Sequence, residues 1–493
     1  MATKRRPVTA AQQSGRHRTV KGRHRPSNVV RTSVEDIQPI GMLRADTDSA
    51  LNTEEQRAVV WGTIFRVIGT PVVALVGLLN TAIIVKETGE AVFGVVALIS
   101  TISLLFPFAD LGIGAVVTSA SSRPGNIADD RIAVATIQRA FRVLSLVSVG
   151  LVAVLITVMA FDAWGTVIGL TTGPDDRWIV TVAASIFALT LPVSLGTRIL
   201  IGIDKNQLAV LILMSNSVFG LLITFGLLFS GATGIWYAIP GVAGALIGNV
   251  LGTIVALRMS GIGSAAFRSP PADLADAKLL SGSAWMLVAS VGLPLGLQSH
   301  RVILSHLSTP EELSRYALMA QIYALGWSVF STAGMAYWPV FVKRRDDHDG
   351  TVSLWLKIVY AFGGVSIVGA IGITALGPFA TSILSSGRVH TTTVLALAFG
   401  LLLVVQCIHL PSGVLLTTPT EMRWQAFCIM AMGVISVVGG IAVAPEYGAA
   451  GVVFVAAAAV LTAQVFPDFA NVPKLVRRRA PTPDDESAPA VAI

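Results

Sequence analysis

Long uncharged runs constrain the fold of this chain more than any other feature. From Trp61 to about residue 468, apolar stretches follow one another and the charged residues lie in short clusters between them. A helical run of about 20 apolar residues matches the hydrocarbon thickness of a bilayer. Only 13% of the 493 residues are charged, which is too few to cover the surface of a soluble domain of this size. The sequence therefore predicts an all-α polytopic membrane protein.

About twelve transmembrane helices are predicted, in two groups of six. They cover about residues 60–85, 91–117, 136–161, 178–202, 207–230, 234–257, 279–304, 312–338, 352–377, 391–416, 422–444 and 448–468. A polar segment at 258–278 separates the groups and contains Arg268-Ser269-Pro270-Pro271, a composition typical of linkers. The expected domains are a basic tail at 1–57, a six-helix lobe at 58–258, a linker at 259–278, a second six-helix lobe at 279–470 and a C-terminal tail at 471–493.

Lys and Arg predict which side of the membrane each connection faces. The connections that follow even-numbered spans, with the span ends beside them and the C-terminal end, hold 18 of them, whereas the opposite connections and span ends hold 5. Because short cytoplasmic segments are enriched in Lys and Arg, both ends of the chain are predicted to be cytoplasmic. Two lobes of six helices then share one orientation, which predicts parallel repeats around a central cavity. Weak similarity between residues 93–98 and 313–318 supports this repeat.

Residues 1–57 differ in composition from the rest of the chain. Nine Lys and Arg residues precede position 32 without any acid, and Gly-Arg-His-Arg occurs at both 15–18 and 22–25. Such a segment has too little apolar surface to offset its ordering entropy, so it is predicted to be a disordered cytoplasmic tail. Contact with anionic membrane lipid is the alternative. The net charge of +7 follows from this cytoplasmic bias and does not indicate a nucleic-acid partner.

Several functional classes lack their sequence signatures here. The chain contains no P-loop, HExxH, GxSxG or dinucleotide fingerprint. The two cysteines, Cys407 and Cys428, lie in apolar runs without metal-ligand spacing. No enzymatic activity, cofactor or metal is predicted, and a transporter of this kind would be a secondary transporter or an uncoupled flippase.

Charges inside the spans of the first lobe mark its candidate site. Arg66 and Asp110 both lie about 10 Å from the predicted cytoplasmic surface and could pair, since an isolated charge in hydrocarbon costs about 2.5–3.5 kcal/mol or more. Asn80 shares the helix face of Arg66, and Ser103 shares that of Asp110. These faces are predicted either to line a hydrated cavity or to join the first two helices through a structural ion pair.

The second lobe carries a similar polar face on its first helix. Gln298 and Arg301 lie on this face, although Arg301 could instead extend to the outer membrane surface. The neighbouring His300 faces another way and is expected at the interface. Gln321 begins a milder polar stripe on the next helix, where hydrogen bonding between helices is the alternative to a cavity role.

Two basic residues flank the short turn between the fourth and fifth spans. Arg198 and Lys205 could receive an anionic headgroup at the cytoplasmic entrance, or they could simply follow the general cytoplasmic enrichment of basic residues.

Four short motifs, in order along the helices, resemble a known family. They are Glu90 with Phe93-Gly94, Asp110-Leu111-Gly112-Ile113-Gly114, Leu376-Gly377-Pro378, and Tyr447-Gly448-Ala449-Ala450-Gly451. Over about residues 58–470 the chain resembles the bacterial polysaccharide flippases of the O-antigen (Wzx) type, within the multidrug/oligosaccharidyl-lipid/polysaccharide (MOP) exporter superfamily.

The resemblance implies a fold of two six-helix lobes around a V-shaped cavity, in the bacterial inner membrane. It implies a flippase whose partners are a polyprenyl-pyrophosphate-linked oligosaccharide, membrane lipids, and the polymerase and glycosyltransferases of polysaccharide synthesis. Arg66 and Arg301 would contact the pyrophosphate, because guanidinium groups donate paired hydrogen bonds to phosphate. Similar members often have an acid just before the basic residue of the seventh helix, where this chain has His300.

Two other functions remain open from the sequence. A multidrug antiporter of the same superfamily would need carboxylates within the lobes to bind its coupling cation, and Asp110 is the one acid at depth. A non-transporting membrane scaffold could recruit partners through the basic tail.

Overall fold

The computed structural model describes residues 53–102, 113–122, 126–169, 176–270, 292–335, 337–344 and 346–479. Every regular element within these ranges is helical, which confirms the all-α prediction. The basic tail, and with it the expectation that residues 1–57 are disordered, lies outside the described residues apart from the helix that begins at Thr53.

Among the described residues, eight helices belong to the first lobe. They are α1 (Thr53–Ile102), α2 (Ile113–Ser121), α3 (Arg131–Ala160), α4 (Trp164–Ile168), α5 (Asp176–Val193), α6 (Leu195–Gly202), α7 (Asn206–Ser230) and α8 (Ile239–Met259). Seven further helices lie in the part of the chain that the structure describes after the linker. They are α9 (Ser299–Leu307), α10 (Pro310–Met335), α11 (Trp338–Lys343), α12 (His348–Leu384), α13 (Thr393–Leu415), α14 (Pro419–Val460) and α15 (Phe466–Arg477), with a π-helical turn at Leu461–Val465. The helix α15 runs across the boundary predicted at 470.

Two glycines with positive φ divide long helices at predicted connections. Gly89 in α1 has φ 78° and ψ 176°, and Gly448 in α14 has φ 54° and ψ −144°. Such backbone conformations are accessible to glycine and strained for other residues. Gly89 lies between the first and second predicted spans, and Gly448 is the first residue of the twelfth. The helix α1 therefore holds the first span and part of the second, and α14 holds the eleventh and most of the twelfth.

Seven of the described helical segments are long and apolar enough to cross a bilayer. They are Arg131–Ala160, Asp176–Gly202, Asn206–Ser230, Gly234–Met259, His348–Leu384, Thr393–Leu415 and Glu421–Arg477. They correspond to the third to sixth and ninth to twelfth predicted spans. The multi-pass character predicted from the sequence is thereby confirmed.

Small residues allow α7 and α8 to pack closely. A Cβ atom at Gly244 would lie 2.4 Å from the backbone nitrogen of Gly220, and one at Gly248 would lie 1.9 Å from Oδ1 of Asn216. Membrane helices associate through such close backbone approaches, because lipid provides little hydrophobic drive between them. Gly244 and Gly248 of the sixth predicted span therefore pack directly against α7.

Among the described residues, three groups of buried apolar side chains form the cores of the structure. The largest combines both lobes and includes Phe93, Val96, Leu304, Leu313 and Tyr316. A second group, which includes Ile137 and Leu257, lies within the first lobe. A third, which includes Trp355 and Val472, lies within the second. In the predicted orientation the shared core is at the outer ends of the spans, and the other two are at the cytoplasmic ends.

We expect reporter fusions to confirm this orientation. Fusions after Arg345 and after Arg479 should report a cytoplasmic location, whereas fusions near Gly173 or Ser308 should report an outer location, because the basic residues favour that arrangement. An outer location after Arg345 would contradict it, since that result requires an odd number of spans before this position.

Candidate functional site

A cavity of about 350 Å³ lies between the two lobes. The first lobe contributes residues from both halves of α1 and from the start of α8, and the second lobe contributes one residue of α9 and three of α10. The lining includes Asn80, Thr81, Ser100, Tyr237, Arg301 and Gln321, with apolar residues between them. None of the described lining residues is an Asp or a Glu.

Arg301 supplies the positive charge of this cavity. It lies in the first turn of α9, and its Nη1 donates a hydrogen bond to the carbonyl oxygen of Ala97 at 3.2 Å. Its guanidinium carbon lies 6.0 Å from the ring centroid of Tyr316, within the range of a cation–π interaction. Arg301 therefore bridges the two lobes at the wall of the cavity.

Two amide side chains predicted from the sequence lie in the same cavity. Asn80 enters from the first half of α1, and Gln321 enters from α10. Within the described part of the chain, the Oδ1 atom of Asn80 is buried without a hydrogen-bond partner. A buried polar atom of this kind costs free energy unless a partner is supplied. The structure thus brings together three of the seven predicted cavity residues.

The other predicted cavity residues have different outcomes. Gln298 is not among the residues that line the cavity; it is the N-cap residue of α9. Ser103 and Asp110 lie outside the described residues, and so does the side chain of Arg66. Their roles remain predictions.

Tyr237 lines the cavity and was missed by the sequence reasoning. It lies in the 3₁₀ turn Gly234–Ala238 before α8, and it is 1% exposed. Its hydroxyl oxygen is buried without a hydrogen-bond partner in the described part of the chain. A tyrosine among apolar residues at the outer end of a span is the sequence signal that marks it.

The two predicted entrance residues are in different environments. Lys205 precedes α7 and lines a separate pocket of about 410 Å³. Arg198 lies in α6, where its carbonyl oxygen accepts a hydrogen bond from Oγ1 of Thr118 at 3.4 Å, and it is not among the residues lining that pocket. An entrance role for the two remains a prediction.

His300 was expected at the membrane interface, but the structure buries it within the second lobe. It is 1% exposed, with Nδ1 3.1 Å from the hydroxyl of Tyr316 and Nε2 2.9 Å from Oγ of Ser436. Ser436 in turn donates to the carbonyl oxygen of Gly296 at 2.7 Å. The imidazole therefore joins α9, α10 and α14 within the second lobe. These contacts fix the position of His300, which directly precedes Arg301 in α9.

Polar contacts close the two lobes against each other beyond the cavity. Oγ of Ser314 donates to the carbonyl oxygen of Glu90, and the Arg315 guanidinium lies 3.5 Å from the Glu90 carboxylate and 2.8 Å from that of Glu312. Glu312 also accepts a hydrogen bond from the backbone of Ala449 at 2.9 Å. A separate contact joins His306 to the carbonyl oxygen of Thr166 at 3.0 Å. We refer to these contacts as the outer closure.

The outer closure depends on the absence of a side chain at Gly94. A Cβ atom there would lie 2.7 Å from Oγ of Ser314 and 2.8 Å from the carbonyl oxygen of Pro310. We expect Gly94→Val to separate the lobes at this end, because the valine side chain would collide with the backbone of α10 and displace that helix from α1. The measurement is labelling of Ala324→Cys by a membrane-impermeant maleimide added from outside, in a protein without its two native cysteines.

The matched control is Gly226→Val, because a Cβ atom at Gly226 meets no atom within 4 Å. Labelling of Ala324→Cys should increase with Gly94→Val and stay unchanged with the control. Equal labelling of both variants would show that the α1–α10 contact does not restrict access to the cavity.

Comparisons with known proteins agree with this architecture. An inward-facing multidrug resistance MATE transporter of the MOP superfamily superposes with a TM-score of 0.62 at 14% identity, over 85% of this chain and 100% of that chain. The lipid II flippase MurJ in an inward closed conformation superposes with a TM-score of 0.58 at 14% identity, over 83% of this chain and 87% of that chain. These similarities establish the two-lobed fold of the MOP superfamily.

Sequence comparison identifies the family. No curated protein matches the chain. The family model described as "Polysaccharide biosynthesis protein" matches residues 59–344, which is more than half of the chain and confirms the resemblance inferred from the sequence. The chain therefore belongs to the polysaccharide biosynthesis protein family.

Proposed function

We propose that this protein is a flippase that moves a polyprenyl-pyrophosphate-linked oligosaccharide across the bacterial cytoplasmic membrane by alternating access of its two lobes. The observation that carries the proposal is the cavity between the lobes, with Arg301 on its wall and the outer closure beyond it. The proposal also includes the polymerase and the glycosyltransferases of polysaccharide synthesis, as partners that deliver or receive the glycan.

The charge of the cavity suits a phosphate-bearing cargo. Arg301 is the cation among the described lining residues, which include no carboxylate to oppose an anion. A guanidinium donates paired hydrogen bonds to phosphate, and such bonds are about twice as strong as neutral ones. The Asn80 amide and the Tyr237 hydroxyl supply partners for sugar hydroxyls or phosphate oxygens. Arg66 and Asp110 are proposed to act nearer the cytoplasmic side.

The size of the cavity indicates which part of the cargo it holds. At about 350 Å³ it lies at the lower end of the ~300–1,000 Å³ range of small-ligand pockets. It can enclose a pyrophosphate headgroup with adjacent sugar, whereas a longer glycan and the lipid chain must extend beyond it. In the predicted orientation the closed end faces outward, so the headgroup enters from the cytoplasmic side.

The antiporter alternative is less well supported by the same cavity. A drug/cation antiporter needs a carboxylate that exchanges its cation for the drug, and the described lining offers none. The scaffold alternative requires no cavity at all. The chemistry of the lining therefore favours an anionic cargo over a cationic drug.

The test is the location of lipid-linked sugar in cells that lack the protein. We expect a deletion strain to accumulate lipid-linked oligosaccharide on the cytoplasmic leaflet, and expression of the intact chain to reverse it. Accumulation can be measured by extracting the lipid-linked fraction and by probing inverted and right-side-out vesicles with a glycan-binding reagent. An unchanged lipid-linked pool in the deletion strain would contradict the proposal.

A further inference from the structure

A second pocket, of about 410 Å³, lies where the ends of four predicted spans of the first lobe meet. The end of α2, the turn between α6 and α7, the segment after α2 and the end of α8 form its walls. Its lining is Ser121, Ser122, Asn126, Ile127, Gly202, Ile203, Asp204, Lys205, Met259 and Ser260. These residues are distinct from those of the cavity between the lobes.

A buried hydroxyl without a partner belongs to one of the residues that line this pocket. Ser121 is 2% exposed, and its Oγ has no hydrogen-bond partner within the described part of the chain. The backbone of Gly202 packs directly on it, since a Cβ atom at Gly202 would lie 2.3 Å from Cβ of Ser121. A buried hydroxyl without a hydrogen bond costs free energy that a bound polar group would recover. The neighbouring hydroxyl of Ser122 donates to the carbonyl oxygen of Thr118 at 2.8 Å.

The N-terminus of α7 adds a preference for an anion. Lys205 is its N-cap residue, and no side-chain hydrogen bond caps this helix. The first N–H groups of a helix lack partners within it and carry partial positive charge, so they attract phosphate. The Lys205 ammonium adds a full positive charge at the same position.

One carboxylate balances this positive charge within the pocket. Asp204 lines it beside Lys205 and has φ 59°, a left-handed conformation that directs the turn between α6 and α7. In the described part of the chain, neither Asp204 nor Lys205 takes part in an ion pair. A ligand with both a phosphate and a primary ammonium would neutralise both side chains, whereas a simple anion would be repelled by Asp204.

Part of the pocket lining is apolar. Met259 is 47% exposed, and Ile203 and Ile127 lie beside it in the lining. The pocket is also at the ends of membrane-spanning helices, where lipid headgroups meet their acyl chains. Its mixed polar and apolar lining therefore suits the junction between a headgroup and its glycerol backbone.

We infer that this pocket binds the headgroup of a phosphoethanolamine lipid, with the phosphate at Lys205, Ser121 and the N-terminus of α7 and the ammonium at Asp204. Such a lipid would join the ends of α2, α6, α7 and α8 and so stabilise the first lobe. The inference does not depend on the cargo of the cavity between the lobes.

The test is native mass spectrometry of the delipidated full-length protein with phosphatidylethanolamine, phosphatidylcholine and phosphatidylglycerol of identical acyl chains. We expect phosphatidylethanolamine to bind best. The choline headgroup cannot donate a hydrogen bond to Asp204, and the glycerol headgroup has no cation. The preference should be about two- to fivefold, the range for an exposed charge pair. Inorganic phosphate alone should not compete at equal concentration.

Three variants separate the contributions of the pocket. Asp204→Asn should abolish the preference for phosphatidylethanolamine over phosphatidylcholine, while Lys205→Gln and Ser121→Ala should weaken the binding of both lipids. Arg258→Gln is the matched control, because Arg258 is exposed at the end of α8 and does not line the pocket. Thermal unfolding in detergent without lipid identifies any variant that is itself unstable.

Equal binding of the three lipids, a preference for phosphatidylglycerol, or a preference that survives Asp204→Asn would overturn the inference. Competition by inorganic phosphate would show instead that the pocket is a site for a free anion.

Discussion

Replacing Arg301 with glutamine is expected to lower export of the lipid-linked glycan by about tenfold or more, because a charge-assisted hydrogen bond contributes about 1.5–3 kcal/mol and ~1.4 kcal/mol corresponds to a factor of ten. Arg301→Lys should retain part of the activity, since lysine keeps the charge but loses the paired donors. Arg388→Gln is the matched control. It removes the same charge from an exposed position on the same predicted side of the membrane.

A second measurement separates binding from closure. Arg301 also donates to the carbonyl oxygen of Ala97, so its loss could reduce export by loosening the contact between the lobes. Binding of a polyprenyl pyrophosphate to the purified variants distinguishes the two effects. If Arg301 binds the headgroup, Arg301→Gln loses this binding, whereas a variant that only weakens the closure, such as Ser314→Ala, retains it. An abundant Arg301→Gln protein with normal binding and export would contradict the proposed role.

The sequence predicted the helices well because hydropathy depends on local composition. Apolar runs of sufficient length must cross the bilayer as helices, since lipid offers no partner for the backbone. Even the connections within α1 and α14 were predicted, and the structure places Gly89 and Gly448 there. Polar side chains within apolar runs are equally local signals, and three of them, Asn80, Arg301 and Gln321, line one cavity.

Contacts between distant segments could not be predicted in the same way. Periodicity assigns a residue to a helix face but does not identify the helix that this face meets. The bond from Ser314 to Glu90 spans 224 residues, and the one between His300 and Ser436 spans 136. His300 was therefore expected at the interface although it is buried. Gln298 shows the same limit, because its predicted helix face did not place it in the lining of the cavity.

The structure also locates buried charge where the sequence predicted a simple cytoplasmic tail. Nε of Arg479 donates to Oε1 of Glu421 at 2.6 Å and Nη2 donates to Oε2 at 3.1 Å. Their side chains are only 5% and 3% exposed. Arg479 also donates to the carbonyl oxygen of Leu415, and Glu421 completes a capping box with Thr418 at the start of α14. The segment after α15 is thus fixed to the turn between α13 and α14.

We expect Arg479→Gln to lower the free energy of unfolding by about 3–5 kcal/mol, because removing one member of a buried pair leaves the other charge without its partner. Glu421→Gln should have a similar effect for the same reason. The double variant should recover a large part of the loss, since it leaves no buried charge. Unfolding of the detergent-purified proteins by heat or denaturant measures each value.

An exposed ion pair formed by the last residue of α15 provides the control for the Glu421–Arg479 pair. Arg477 in α15 lies 3.0 Å from Asp349, but these side chains are 60% and 84% exposed, so Arg477→Gln should cost only about 0–1 kcal/mol. Truncation after residue 470 should be as destabilising as Arg479→Gln or more so, because it removes Arg479 together with most of α15. Truncation after residue 479 leaves the pair intact and should change stability little. If the two truncated proteins unfold at the same temperature as the full chain, the Glu421–Arg479 pair does not stabilise the second lobe.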